Sequence, residues 1–332
     1  MDMFNEKIET HVDNPKGNLL SNMSQEVKSI LSAIFRDDYG GERTEKTTEN
    51  MPIDVKGEMT QLFSDDYTGT NNSDVSTESV DLTKQYESNS KFKVDGCTYE
   101  TDDRGYIYKK NGYELIPGCE YKIEGVTYNT DNKGRIVSCD GSATSTPEGE
   151  RDNRAQTMAG GEDRREGDQG GHILARIFGG AKGIENMLAM RGSAINQSVY
   201  KRMENEIGKA LEEGKDVHVH TDVEYEGESK RPSKITVRYT IDGKETVAQF
   251  DNDEGSTDLL ESVMDKIDKE EYNDLKQEIE EANEDGCKIS IVSVKTEYDI
   301  RVRVSKVIVT IRDENSEHAV NEDRVFDSRE VS

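Results

Sequence analysis

A seven-residue pattern occurs twice, as Lys93-Val94-Asp95-Gly96-Cys97-Thr98-Tyr99 and Lys122-Ile123-Glu124-Gly125-Val126-Thr127-Tyr128, with matching Thr101-Asp102 and Thr130-Asp131, Gly105 and Gly134, Ile107 and Ile136. The acidic residue and glycine between β-formers mark a tight hairpin, because glycine tolerates the positive φ such turns need. Each copy therefore predicts a small β-meander, and residues 91–142 read as a repeat region of two units. A repeat pair of this kind serves as a binding module or, more commonly, as an accessory β-subdomain packed on its neighbour. Cys119 and Cys139 fall on the first and third strands of the second meander, about 10 Å apart across the middle one. That separation is too wide for a disulfide, so both are expected as free thiols.

Outside the repeat, composition sets the limits. The 332 residues carry 43 Lys and Arg against 70 Asp and Glu, a formal charge of −27, and only 32% are hydrophobic. A typical globular domain is roughly 45–50% apolar, so part of the chain is expected to stay solvated. The hydrophobic runs fall short of the roughly 18 residues of a membrane span, and the start lacks a basic and then apolar leader. The expectation is a soluble protein without a Sec signal, either cytoplasmic or exported by a non-Sec route. Residues 1–90 read as a mostly disordered region with one amphipathic helix, capped by Ser24 before Val27, Ile30, Leu31 and Ile34. Residues 143–253 form the central domain. Residues 254–332 read as an acidic C-terminal region. It has a helix over 256–284 with a stripe of Leu259, Leu260, Val263, Met264, Ile267, Tyr272, Leu275 and Ile279. Strands over 288–294 and 299–311 follow, and then a polar tail.

The chemistry concentrates between residues 164 and 250. Gly167 to Gly180 places one histidine, His172, after a glycine-rich turn at the start of a short apolar strand. A helix beginning near Asn196 runs through Met203, Ile207 and Leu211 to Gly214, which suits its C-terminal cap. Asn196, Tyr200 and Glu204 recur at i, i+4, i+8 and share one helix face. Carboxamide and carboxylate oxygens suit Mg²⁺ or Ca²⁺, and neutral histidine suits a base; a structural histidine is the plainer alternative. Gly179 to Gly183 is no phosphate loop, since it lacks the Gly-Lys-Ser/Thr ending. His218 and His220 alternate on a strand and read as solvent-facing. That strand is expected to pair with Ile235–Ile241 and turn at Asp242-Gly243. Lys230, Arg231 and Lys234 sit at its loop.

These residues resemble the DNA/RNA non-specific endonucleases of the ββα-metal superfamily, through Asp168 to His172, Glu185-Asn186-Met187-Leu188, the Asn196 to Glu204 helix start and the Gly160-Gly161-Glu162-Asp163-Arg164 lead-in. The resemblance covers roughly residues 110–250. It implies an α+β protein with a ββα-metal fold on a twisted antiparallel sheet, preceded by the β-meander region and flanked by disordered acidic segments. It implies His172 as general base, Asn196 as the side chain holding a catalytic Mg²⁺ (or Mn²⁺), Glu204 as holder of metal-bound waters, and Asn186 as a residue positioning loop and phosphate. The products would carry 5′-phosphate and 3′-hydroxyl ends. The family often has Arg two residues before the histidine, where this chain has Gly170. Arg164 and Arg176 are then the candidates for transition-state charge, with Arg165, Lys201, Lys230 and Arg231 as substrate-binding residues.

A charge of −27 opposes phosphate binding, yet residues 164–209 hold eight Lys and Arg against five Asp and Glu. The acidic excess lies elsewhere, as solvated flank or as a nucleic-acid mimic in which helix 256–284 covers the site. The expected function is Mg²⁺-dependent, sequence-non-specific cleavage of DNA and RNA, with an immunity or inhibitor protein as partner if the role is a toxin's, and no membrane. The competing reading is a catalytically degenerate nucleic-acid-binding or toxin-associated interaction protein; a structural adhesion module is the third.

Overall fold

Both acidic–glycine pairs adopt the left-handed conformation that a two-residue hairpin turn requires: Asp95 and Gly96 at φ 48° and 79°, Glu124 and Gly125 at 53° and 85°. In the computed structural model, which describes residues 80–146, 152–253, 259–316 and 319–327, these turns build two meanders. The helix expected after Ser24 lies outside the described residues. The first copy supplies β1 (Lys91–Val94), β2 (Cys97–Thr101), β3 (Ile107–Lys110) and β4 (Glu114–Leu115), a four-stranded sheet of its own. The second supplies β5 (Glu120–Ile123), β6 (Val126–Thr130) and β7 (Ile136–Ser142). In each copy one aspartate fixes the loop: Asp102 accepts from the backbone N–H of Arg104 and Tyr106, Asp131 from those of Lys133 and Arg135.

The two copies nevertheless join different sheets. Strand β7 pairs with β10 (Val217–Tyr225), which makes the second copy one edge of a nine-stranded sheet that runs from β15 (Glu322–Asp327) through β14 (Val304–Asp313), β13 (Ile289–Tyr298), β12 (Lys244–Asp251), β11 (Pro232–Ile241) and β10 to β7, β6 and β5. The cause lies in the inward row: Tyr121, Tyr128 and Cys139 join the same core as Val217 and Val219. Their counterparts Phe92 and Tyr99 instead stack on each other, with Phe92 also against Tyr86. Strand β10 continues through β11 (Pro232–Ile241) and β12 (Lys244–Asp251), whose connection puts Asp242 and Gly243 at φ 49° and 77° as the sequence predicts. All strand pairs are antiparallel, so the class is α+β. All four cysteines are free thiols.

Among the described residues of the C-terminal region the expected helix and hairpin are present, and order continues into the tail expected to be disordered. Strands β13 (Ile289–Tyr298), β14 (Val304–Asp313) and β15 (Glu322–Asp327) extend the sheet, the last of them in the tail that reads as polar coil. The residues between β13 and β14, expected as strand, form a turn that leaves Ile300 and Val302 exposed. The helix expected over 256–284 is split: a single turn at Glu261–Val263 comes first, and Asp268 then caps α3, the helix Lys269–Glu284, by accepting from Glu270 N.

A second, separate hairpin pairs β8 (Asp168–His172) with β9 (Met187–Arg191). It follows the short helix α1 (Asn153–Met158) and leads through a π-helical turn, Gly192–Val199, into α2 (Tyr200–Glu212). Helix α2 ends in a Schellman motif, with Gly214 N donating to Leu211 O and Lys215 N to Ala210 O. Side chains from α2 and from the chain just after β8 pack with Val237, Tyr239, Ala248 and Phe250 in one cluster. Helix α3 instead buries Leu275 and Ile279 with Val294, Val307 and Val309. Opposite β12, Ser293 stands across from Phe250 and Val294 across from Gln249. Successive residues face opposite sides of a sheet, so Phe250 and Val294 do too. The acidic helix therefore lies on the sheet face away from α2 and does not cover the His172 region.

Candidate active site

Strand β8 has two ends with different chemistry, four residue steps or roughly 13 Å apart. At its C-terminal end stands half-buried His172, opposite Met187 of β9. Helix α2 and its lead-in turn bracket that position. The Asn196 Oδ1 lies so close to Gly171 that a Cβ there would come within 2.6 Å of it. The Tyr200 hydroxyl donates to Ile173 O at 2.6 Å. The i, i+4 face read from the sequence thus meets the residues on either side of His172. Asn196 does not begin the helix; it sits inside the π-helical turn, which starts four residues earlier at Gly192. Its Nδ2 donates to Gln169 Oε1 at 3.0 Å, and Gln197 Nε2 donates to the same oxygen at 2.9 Å. That leaves the Asn196 Oδ1 lone pairs turned toward the strand.

One turn beyond Tyr200, Glu204 pairs with exposed Lys201 at 3.1 Å. Burial pushes its carboxyl up from the ordinary value, and Lys201 offsets only part of the rise. Asn186 is wholly buried and spent on the loop that follows His172. Its Oδ1 accepts from Leu174 N, and its Nδ2 donates to Leu174 O and Ala181 O, each at 2.8–3.0 Å. It can position the loop; it has no surface with which to touch phosphate. Gly180 is obligatory in this pinch, because a Cβ would stand 1.9 Å from Leu174 O. The loop is held from below by the second repeat copy, through Ala181 N donating to Tyr128 Oη and Tyr121 Oη donating to Glu185 O.

The other end of β8 gathers most of the expected basic residues, and two of them are structural. Arg231 is 4% exposed and forms a two-pronged ion pair with buried Asp168, Nε to Oδ2 at 2.7 Å and Nη2 to Oδ1 at 3.0 Å. It is not available to substrate. Arg164 donates to the carbonyls of Gln156, Thr157 and Asp168, tying the end of α1 to β8, so its guanidinium is committed to backbone rather than to transition-state charge. Half-exposed Arg165 pairs with Asp253 at 2.8 Å. Lys230 is exposed, and its backbone N–H donates to Asp163. Arg176 differs from Arg164: it lies four residues past His172 on the turn Arg176–Phe178, and its Nε is buried with no hydrogen-bond partner among the described residues. Gly170 has a steric reason. A Cβ there would come within 2.5 Å of the Gln156 backbone, so α1 excludes any side chain at this position.

The model of the DNA/RNA non-specific endonuclease family matches residues 117–243. Those residues are a DNA/RNA non-specific endonuclease domain. A segment of 114 residues is also 37% identical to the type VII secretion system protein EssD of Staphylococcus aureus, in strains USA300, NCTC 8325 / PS 47 and Newman. That segment is 32% of this chain and 18% of each relative, so the chain spans under a fifth of the length of the curated relatives it matches. The endonuclease match begins with the second repeat copy, the one joined to the main sheet, and ends at the β11–β12 turn. Among the described residues, no helix of this chain is long and apolar enough to cross a membrane.

Several residues that shape the candidate site carry no sequence signal. Gln169 looks like filler in a glycine-rich turn, yet it holds the Asn196 amide. Asn252 donates to Ala189 O and accepts from Arg191 N, fastening β9 to the sheet across more than sixty residues. His218 is exposed as expected and His220 is half-buried, and both approach Asp140 Oδ1 of β7 at 3.1 and 3.0 Å, a partner that only the β7–β10 pairing supplies. Among the described residues, no group of three or more His, Cys, Asp or Glu has the arrangement of a metal cage.

Proposed function

We propose that this protein is a divalent-metal-dependent endonuclease that cleaves DNA and RNA without sequence preference, through the ββα element formed by β8, β9 and α2. The observation that carries the reading is the Asn196 carboxamide: its nitrogen is held by Gln169, and its oxygen lies against Gly171, the residue before His172. One amide oxygen without a carboxylate cage suits Mg²⁺, or Mn²⁺ in its place, since Mg²⁺ keeps several of its waters. Glu204, on the same helix, would hold such waters. A cation bound there would stabilise charge developing on the phosphate and the leaving 3′-oxygen.

His172 in its neutral form takes the proton from the attacking water as general base. Attack at phosphorus then releases a 3′-hydroxyl and leaves a 5′-phosphate. Arg176 is the arginine left to meet charge on the scissile phosphate, because Arg164 is bound to carbonyls. Lys201, Arg165 and Lys230 are exposed and supply sequence-independent attraction to the backbone. The competing reading, a degenerate binding protein, draws on the glycine at 170 where the family often has Arg; close packing against the Gln156 backbone gives that glycine a steric reason of its own. The relatives' designation as type VII secretion system proteins supports non-Sec export for this chain as well. A nuclease handled that way needs an inhibitor protein in the cell that makes it.

The test is digestion of plasmid DNA and single-stranded RNA with Mg²⁺ or with EDTA, beside His172→Ala. The expected result is metal-dependent smearing of both substrates, reduced by about 10²–10⁴-fold in the variant. Equal activity of His172→Ala, or activity that persists in EDTA, rejects this mechanism.

A further inference from the structure

The β14–β15 hairpin lies beyond the segment matched by the endonuclease family, yet it grips the turn that carries Asn196. Asn321, just before β15, donates through Nδ2 to Ala194 O at 2.7 Å and to Ser198 Oγ at 2.9 Å. Ala194 and Ser198 stand two residues before and two after Asn196. The Ala194 carbonyl can only accept, which fixes the orientation of the amide, and the Asn321 Oδ1 accordingly accepts from Arg312 Nη1 at 3.1 Å. Arg312 also reaches Ser193 Oγ, and Glu314 pairs with buried Arg191 at the end of β9. A π-helical turn is rare and is seldom retained without a local reason. Here the turn is pinned on both sides of Asn196 by one side chain from more than 120 residues away.

We propose that Asn321 is a positioning residue for the nuclease site: by holding the π-helical turn on both sides of Asn196 it sets the direction of Asn196 Oδ1, so the C-terminal hairpin is part of the apparatus that holds the cation. This rests on the reading of Asn196 as the cation's protein ligand. Arg202 offers the matched comparison, since it ties the same hairpin to α2 through Asp323 and Thr310, six residues past Asn196.

The experiment measures Mn²⁺ binding to the full-length protein by electron paramagnetic resonance, with kcat, KM for DNA and Tm, for Asn321→Ala, Asn321→Asp, Arg202→Ala and Asn196→Ala. Asn321→Asp keeps the shape but loses the donor, so it tests the same bond if the alanine variant folds poorly. Loss of a hydrogen bond of ordinary strength predicts Mn²⁺ binding weakened about fivefold and kcat lowered in step in both Asn321 variants, with KM for DNA little changed. Arg202→Ala is expected to lower Tm and leave Mn²⁺ binding as in the wild type. Wild-type Mn²⁺ affinity in Asn321→Asp, or a loss in Arg202→Ala as large as in the Asn321 variants, overturns the proposal. Wild-type affinity in Asn196→Ala overturns the ligand reading itself, a separate outcome.

Discussion

Arg231 and Lys230 are adjacent, equally basic and indistinguishable by sequence as phosphate contacts, yet burial separates their roles. Arg231 neutralises Asp168 at the foot of β8, with both side chains almost fully enclosed. Removing one partner of such a pair leaves an uncompensated buried charge, so Arg231→Ala is expected to destabilise the fold by about 3–5 kcal/mol. Lys230→Ala, at an exposed side chain, is expected to leave stability within about 0.5 kcal/mol. It should instead lower the slope of log affinity for DNA against log salt by about 1. Urea unfolding and salt-dependent binding measure both. If Arg231→Ala unfolds like the wild type and binds DNA less well, Arg231 serves substrate rather than the ion pair with Asp168. Gly170 and Gly171 make the same point by omission: Gln156 backbone excludes a side chain at the first, and Asn196 Oδ1 and Met190 Sδ at the second. A sequence shows only that glycine is there.

Elements defined by local periodicity were legible; those defined by remote partners were not. The acidic–glycine turns, the hairpin at Asp242-Gly243 and the shared face of Asn196, Tyr200 and Glu204 follow from spacings of two to eight residues, which the chain itself records. The π-helical turn and strand β15 depend on contacts with residues far along the chain, and no pattern announces them; the helix start at Asp268 is instead a local N-cap signal that the longer apolar stripe overrode. Helix α2 shows what a correct face adds. Because that face is packed, burial raises the Glu204 carboxyl above its ordinary value, the opposing pull of Lys201 notwithstanding. The folded protein therefore keeps a proton there at pH values where the unfolded chain has lost it. The stabilising share of Glu204 is complete at low pH and falls as pH rises through this window. Glu204→Gln cannot ionise, so its stability relative to the wild type should climb across the same window. Urea midpoints from acid to neutral pH measure the difference, and parallel profiles for the two proteins would contradict the raised value. The acid limb of wild-type activity should likewise lie above the ordinary carboxylate range if Glu204 must be ionised to hold metal-bound water.

On the scale of the whole molecule, the boundary suggested by charge is not the boundary of the fold. The excess of acid beyond residue 253 suggests a detachable flank, and an inhibitory one would leave a more active enzyme when removed. The structure opposes this on three counts. Helix α3 lies on the other face of the sheet. Strand β13 pairs with β12 from Thr246 to Phe250, and Val292 is buried in the same cluster as Phe250. Glu314 is the counter-ion of buried Arg191, and its loss alone leaves a guanidinium uncompensated at a cost of about 3–5 kcal/mol. A chain ended after Asp253 would also expose β12 as a long edge, a template for aggregation. Truncation is therefore expected to give an inactive, poorly soluble protein with a lower Tm. Nuclease assays on the soluble fraction, with circular dichroism melting, check it. A soluble truncated protein more active than the full chain would return the acidic region to the role of inhibitor and remove β13–β15 from the working enzyme.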